Sequence, residues 1–193
     1  MLLALPGCTY LYQGEELGLF EVEDLKHEDL QDPNWFRNVV PMVRKEKPSG
    51  LALVHTDKGR DGCRVPIPWQ TSEAGSHGFS TNSKLGKPDS WLPQPKYWGD
   101  LSVEKQESDI NSTLNMYRKA LAIRKAEAGL GDGPMQWLDL GKDVLAFSRP
   151  NDFICILNFG NEIELPAHKE VLIASGALSA NKLPTDTAVW LRT

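Results

Sequence analysis

Two fold classes share this chain of 193 residues, an α/β part up to residue 129 and an all-β part from residue 130. Two observations predict the division. Up to about Gly129 the apolar residues recur at helical spacing or sit in a long loop rich in Gly, Pro, Ser and Trp. Beyond Gly133 they fall into short β-rich runs broken by turn residues, at the spacing of an antiparallel sandwich. A third observation concerns the start, where an apolar turn, a Pro-Gly break, a β-rich run and a polar loop succeed one another in the order of a parallel α/β unit.

Met1 to Leu5 is apolar and stops at Pro6-Gly7, and it reads as the last turn of a buried helix. It lacks the basic lead of a secretory signal and is too short to span a bilayer. A chain that begins hydrophobic, with no cap or polar lead-in, resembles one cut from the middle of a longer protein. Thr9 to Gln13 is the expected buried strand, and Gly14 to Gly18 the loop after it, which sets Gln13, Glu15 and Glu16 at the strand's carboxyl end, where parallel α/β folds place their sites. From Glu15 to Asp32 there are eight acids, Glu15, Glu16, Glu21, Glu23, Asp24, Glu28, Asp29 and Asp32, against the single base Lys26. Like charges at this density gain most by staying in water, so the stretch reads as a solvated loop face.

The densest chemistry lies from Gly59 to Trp69, Gly-Arg-Asp-Gly-Cys-Arg-Val-Pro-Ile-Pro-Trp. Gly59 and Gly62 admit backbone angles closed to other residues, and Pro66 and Pro68 keep the end of the segment extended, so it is a shaped loop. Arg60 and Arg64 flank Asp61. An arginine fork clamps a carboxylate, a phosphate or the hydroxyl pair of a sugar, and the Trp69 ring offers a flat face beside it. The bland reading is a structural knot in which Asp61 pairs with an arginine and Trp69 fills a core. Thr71 to Leu101 reads as a long ordered loop whose Trp91, Tyr97 and Trp98 either stack on sugars or, more commonly in such loops, pin the loop down. Ser102 caps a helix with Glu104 in its first turn, and Ile110, Leu114, Tyr117 and Leu121 mark one apolar face as far as Gly129. Six strands complete the chain, at 135–140, 144–148, 153–159, 162–165, 171–174 and 188–191.

Composition narrows the partners. A net charge of -5 and a pI near 5.4 argue against nucleic acid, which needs a basic face to displace counterions. Cys8, Cys63 and Cys155 are widely spaced with no Cys-x-x-Cys, and the four histidines show no ligand spacing, so neither a disulfide frame nor a metal site is indicated and a reducing, cytoplasmic setting fits.

Several of these motifs resemble the α-amylase superfamily, in the α-glucosidase branch of glycoside hydrolase family 13. They are Leu5 to Gly18, Gln31-Asp32-Pro33 with Trp35, the arginine motif, Trp91-Leu92-Pro93-Gln94-Pro95, Leu101-Ser102-Val103-Glu104 and Leu183 to Leu191. The resemblance implies the C-terminal end of a (β/α)8 barrel over 1–129, comprising strand 8, a long loop and helix 8, and then a small antiparallel β-sandwich domain over 130–193. It implies hydrolysis of terminal α-glucosidic bonds of maltose- or isomaltose-type oligosaccharides, with no cofactor, and with the catalytic carboxylates in the N-terminal part of the barrel, upstream of Met1. By motif match Arg64 resembles the arginine that grips the terminal glucose 4-hydroxyl with an upstream aspartate, and Arg60 a neighbour on the leaving-group side. No catalytic residue is assigned within this chain. Transglycosylation and sugar isomerisation in the same branch use identical residues here. Asn38 to Lys58, with its basic Arg44-Lys45-Glu46-Lys47, is longer than the link expected at this point and reads as an insertion. Two readings from other classes stand beside the enzyme: a non-catalytic barrel relative serving as an accessory subunit, and a β-domain acting as a sugar-binding module.

Overall fold

A computed structural model describes residues 1–39, 59–80 and 90–193. The expected insertion with its basic patch lies, from residue 40 to 58, outside them. The described chain divides into two compact units, Met1–Leu11 with Asn115–Thr193, and Tyr12–Leu114.

The first unit is built on an antiparallel sheet. Its strands are β1 (Gln136–Leu138), β2 (Val144–Arg149), β3 (Phe153–Asn158), β5 (Glu170–Ala174) and β7 (Thr187–Arg192), while β4 (Ile163–Glu164) and β6 (Lys182–Leu183) form a separate pair. The five strands of the sheet lie in the order β1-β2-β3-β7-β5. The six runs read from sequence are all strands. Lys182–Leu183 is the one that reading misses, since two residues between turns carry no periodicity.

Register explains how the sheet is buried on both faces. Phe147 lies opposite Cys155, and Cys155 opposite Trp190, and these three share one cluster with Phe153, Ile173 and Ala120. One residue along, Ala146, Ile156 and Val189 form the next row and pack with Leu165, Leu183 and Leu191. Strict alternation thus sends one row toward the helix and the other toward the β4 and β6 pair. The antiparallel expectation holds, but one face of the sheet is covered by helix.

That helix is α2 (Thr113–Ala126), preceded by the short α1 (Val103–Glu107). Ser102 caps α1, its hydroxyl accepting from Lys105 N. The single apolar face expected from Ile110 to Leu121 is corrected, because Ile110 is 85% exposed and Leu121 stands in solvent, while Ala120 is buried and Met116, Tyr117 and Ile123 pack on its cluster. The chain breaks between α1 and α2, so spacing counted across the break follows no helix face.

At the start, Leu2–Ala4 is one 3-10 turn with Leu3 and Ala4 buried. Two arginines hold this segment. Arg124 Nη1 donates to the carbonyls of Leu3 and Leu5, and its Nη2 to that of Gly7 at 2.7 Å. Arg149, 4% exposed, donates to Ala4, Gly131, Gly133 and Pro134. The expected strand at Thr9 to Gln13 does not form: the stretch is irregular, Tyr10 is 86% exposed, and among the described residues no strand pairs with it. A β-run of that composition needs a neighbour to take its backbone groups.

The second unit has no strand among its described residues. Its apolar anchors are Val22, Leu25, Leu30, Trp35, Val65, Leu92 and Trp98, with Leu17, Ile67 and Leu114 in a smaller cluster. Polar side chains do the joining. Gln106, almost buried, donates to Leu17 O and Leu101 O and accepts from Leu114 N, so one amide fixes three backbone groups far apart in sequence. No helix among the described residues is long and apolar enough to cross a membrane.

Candidate functional site

The arginine motif folds as a loop with one 3-10 turn at Gly62–Arg64. Gly59 takes φ 78°, and a Cβ there would lie 2.8 Å from Asp32 Cβ. Gly62 serves differently from its sequence reading: its φ is ordinary, but a Cβ would lie 2.6 Å from Val22 O, whose chain runs against it through the bond from Val22 N to Gly62 O. Both glycines are therefore places of close approach to the acidic loop.

Two buried carboxylates lock these loops together. Asp61 Oδ2 accepts from Gln31 N at 2.6 Å and Asp32 N at 2.8 Å. Asp32 returns the arrangement: its Oδ1 accepts from Asn34 N at 2.8 Å, and its Oδ2 from Arg60 N at 2.9 Å and Arg60 Nε at 3.4 Å, with Arg64 Nη1 at 3.8 Å. These backbone donors and the Arg60 guanidinium hold the Asp32 carboxyl below its usual range, against the opposing effect of burial. Asp61 Oδ1 is buried with no hydrogen-bond partner among the described residues. The knot foreseen in the sequence exists, but with other members: Asp61 caps backbone, Asp32 takes the arginines, and Trp69 is half-exposed rather than core.

Beside the knot is an open cavity of about 400 Å³. Tyr12, Gln13, Glu15 and Glu21 line it from one loop, and Cys63, Arg64 and Val65 from the arginine motif, with Trp98 among the other walls. Tyr12 Oη donates to Cys63 O at 3.0 Å and so ties the two loops across it. Burial and the neighbouring Glu21 carboxylate push the Cys63 thiol up, Arg64 partly offsetting them.

The structure brings Arg64 to the cavity wall, one third exposed. Arg60 is not among the lining residues and its side chain is 74% exposed. Trp98 is buried, its Nε1 without a partner among the described residues, while Trp91 and Tyr97 are exposed. Asp32 is the residue that sequence reasoning underrates. Composition groups it with seven other acids, and each of those is exposed or half-exposed as expected, whereas Asp32 is 2% exposed. The available signal is its place in Gln31-Asp32-Pro33.

The family model described as the alpha-amylase catalytic domain matches residues 1–133. A probable alpha-glucosidase of Rhizobium meliloti (strain 1021) is 35% identical over 86% of this chain and 27% of its own length. A glucan 1,6-alpha-glucosidase of Streptococcus pneumoniae serotype 4 is 30% identical over 84% of this chain and 30% of its own. Among solved structures, a trehalulose synthase in complex with Tris aligns with a TM-score of 0.80 over 100% of this chain and 37% of that one, at 24% identity, a likeness of fold alone. The chain thus spans about a quarter to a third of the length of the relatives it matches. With the family model covering more than half of its residues, the chain belongs to the alpha-amylase family of glycoside hydrolases.

Proposed function

We propose that this chain is the C-terminal part of an α-glucosidase that hydrolyses terminal α-glucosidic bonds of maltose- or isomaltose-type oligosaccharides. In this reading residues 1–129 are the C-terminal end of a (β/α)8 barrel, with the long loop, helix 8 and a Thr9 to Gln13 segment that becomes strand 8 only when the upstream strands pair with it, and 130–193 are a β-sandwich domain. The family match ending at residue 133 supports that boundary. The chemistry of a retaining enzyme needs a nucleophilic carboxylate and a carboxylic acid about 5 to 5.5 Å apart, and both belong to the upstream N-terminal part of the barrel, which is the chain's first partner. A small neutral oligosaccharide is the second. Nucleic acid and membrane are not partners, no cofactor or metal takes part, and the spacing of the cysteines supports a cytoplasmic setting.

Arg64 on the wall of a cavity is the observation that carries this reading. One of its nitrogens faces Asp32, and the guanidinium fork has further N–H groups to donate to a sugar hydroxyl. Arg60, by motif match a neighbour on the leaving-group side, stands outside the cavity lining in this chain. Each charge-assisted bond contributes about 1.5 to 3 kcal/mol in a dry site. Arg64→Ala, in the enzyme restored by joining this chain to its upstream barrel, is therefore expected to lower kcat/KM by about 10² to 10⁴. The 193-residue chain alone is expected to give no turnover of a chromogenic α-glucoside. A change under about threefold for Arg64→Ala removes that residue from the substrate site, and turnover by the chain alone overturns the upstream placement of the carboxylates.

A further inference from the structure

The geometry assigns Asp32 as the positioning residue for the arginine motif, holding Arg60 as a latch and setting the direction in which Arg64 faces the cavity. This rests on the reading of Arg64 as a substrate-holding side chain. One carboxylate oxygen, Oδ2, meets the Arg60 backbone N–H, Arg60 Nε and Arg64 Nη1 at 2.9, 3.4 and 3.8 Å. A flexible, solvent-facing arginine would offer a substrate many orientations, and ordering it on binding costs rotamer entropy. A buried carboxylate tethering the fork by one nitrogen removes much of that cost beforehand and leaves the fork's other donors for a ligand.

Asp32 is itself fixed. Its amide is bound by Asp61 Oδ2 at 2.8 Å, its Oδ1 is engaged by Asn34 N, and the bare Cα of Gly59 lies where any side chain would strike the Asp32 Cβ and Cγ. The carboxylate therefore cannot take another rotamer without moving the loop that carries both arginines. Arg60, three-quarters exposed and outside the cavity lining, gives up its Nε and amide to this contact and so closes the loop on Asp32. Positioning passes from Asp61 to Asp32 and from Asp32 to Arg64.

The test is a double-mutant cycle of Asp32→Asn with Arg64→Ala in the restored enzyme, using 4-nitrophenyl α-glucoside. Asp32→Asn is expected to lower kcat/KM about tenfold or more when Arg64 is present, and less than about twofold when Arg64 is already alanine, while lowering the thermal midpoint alike in both backgrounds. Equal losses of kcat/KM in both backgrounds make Asp32 a purely structural residue and overturn the inference, as does an unchanged kcat/KM where Arg64→Ala is impaired. If Asp32→Asn fails to fold, Asp32→Glu, which keeps the charge but displaces it by a methylene, carries the same cycle. Should Arg64→Ala be without effect, the substrate reading falls, and the latch is judged in the 193-residue chain by exchange of the Arg60 Nε–H. Exchange at least about tenfold faster in Asp32→Asn sustains the latch, and unchanged exchange removes it.

Discussion

The two compact units solve the same problem, satisfying backbone groups away from water, by opposite means. In Met1–Leu11 with Asn115–Thr193 the sheet ladder does most of it, and where the ladder ends two arginines donate to carbonyls: Arg124 to three, Arg149 to four. In Tyr12–Leu114 there is no ladder among the described residues, and carboxylates accept from backbone N–H groups instead, Asp61 from Gln31 and Asp32, Asp32 from Asn34 and Arg60, Glu104 from Thr71. One unit is stapled by cations on carbonyls, the other by anions on amides. Repetitive structure tolerates loss of single contacts, because neighbours in the ladder share the load, whereas a loop fold rests on a few side chains that each join distant segments.

The sharpest attack on the first unit is Arg149→Met, which keeps most of the apolar stem and removes the guanidinium. Burial and the nearby Arg124 hold the Arg149 pKa below its usual value, yet four carbonyls rest on this one group, and it is 4% exposed. Leaving the acceptors of Ala4, Gly131, Gly133 and Pro134 unmatched is expected to cost about 3 to 5 kcal/mol, read as a fall in the urea midpoint. A loss under about 1 kcal/mol would show that water takes the guanidinium's place and that the ladder alone carries this unit.

How much of this is legible in the sequence depends on the same contrast. Strands show themselves because alternation is written residue by residue: Phe147, Cys155 and Trp190 against Ala146, Ile156 and Val189. The arginine motif is visible as a shaped loop, and Ser102 as a cap. The hidden part depends on residues far apart. Asp32 and Asp61 are 29 positions apart in their hydrogen bond, and apart from its place in Gln31-Asp32-Pro33 nothing local distinguishes Asp32 from the solvated acids before it. The helix face is misplaced because the break between α1 and α2 shifts the count, and Thr9 to Gln13 reads as strand because composition records a preference for pairing, not the presence of a partner.

A smaller effect probes the second unit. In Gly62→Ala the new methyl would lie 2.6 Å from Val22 O, a backbone atom that cannot turn aside. Relief requires the arginine loop and the acidic loop to part, at a cost of about 1 to 3 kcal/mol. Hydrogen exchange is expected to rise at Val22, Gln31 and Asp32 while the amides of β2, β3 and β7 keep their protection. Equal loosening of those strands would mean that the two units are not independently held.

Acidity separates the two means of stapling with the least perturbation. The carboxyls of Asp32 and Glu104 both lie below their ordinary values of 3.8 and 4.5, the first held down by the amides of Asn34 and Arg60, the second by the amide and hydroxyl of Thr71. A carboxyl lowered on folding stabilises the folded chain fully above its ordinary value, and that contribution disappears as the pH falls through the lower, folded one. The second unit is therefore expected to loosen below about pH 4, at the amides of Asn34, Arg60 and Thr71 first. Two ion-paired cations of the first unit shift in the other direction: Lys182 is raised by Glu162, and Arg192 by Glu127. Stability of that kind is complete below the ordinary lysine value of 10.5 and is lost only as the pH rises through the raised one. Its carbonyl acceptors do not titrate at all. Exchange rates at pH 6, 4 and 3, corrected for intrinsic chemistry, should thus show protection lost at Asn34, Arg60 and Thr71 with acid and kept at Phe147, Ile156 and Trp190. If the strand amides open in step with the loop amides, the carboxylate caps are not what holds Tyr12–Leu114, and the contrast between cations on carbonyls and anions on amides does not govern stability.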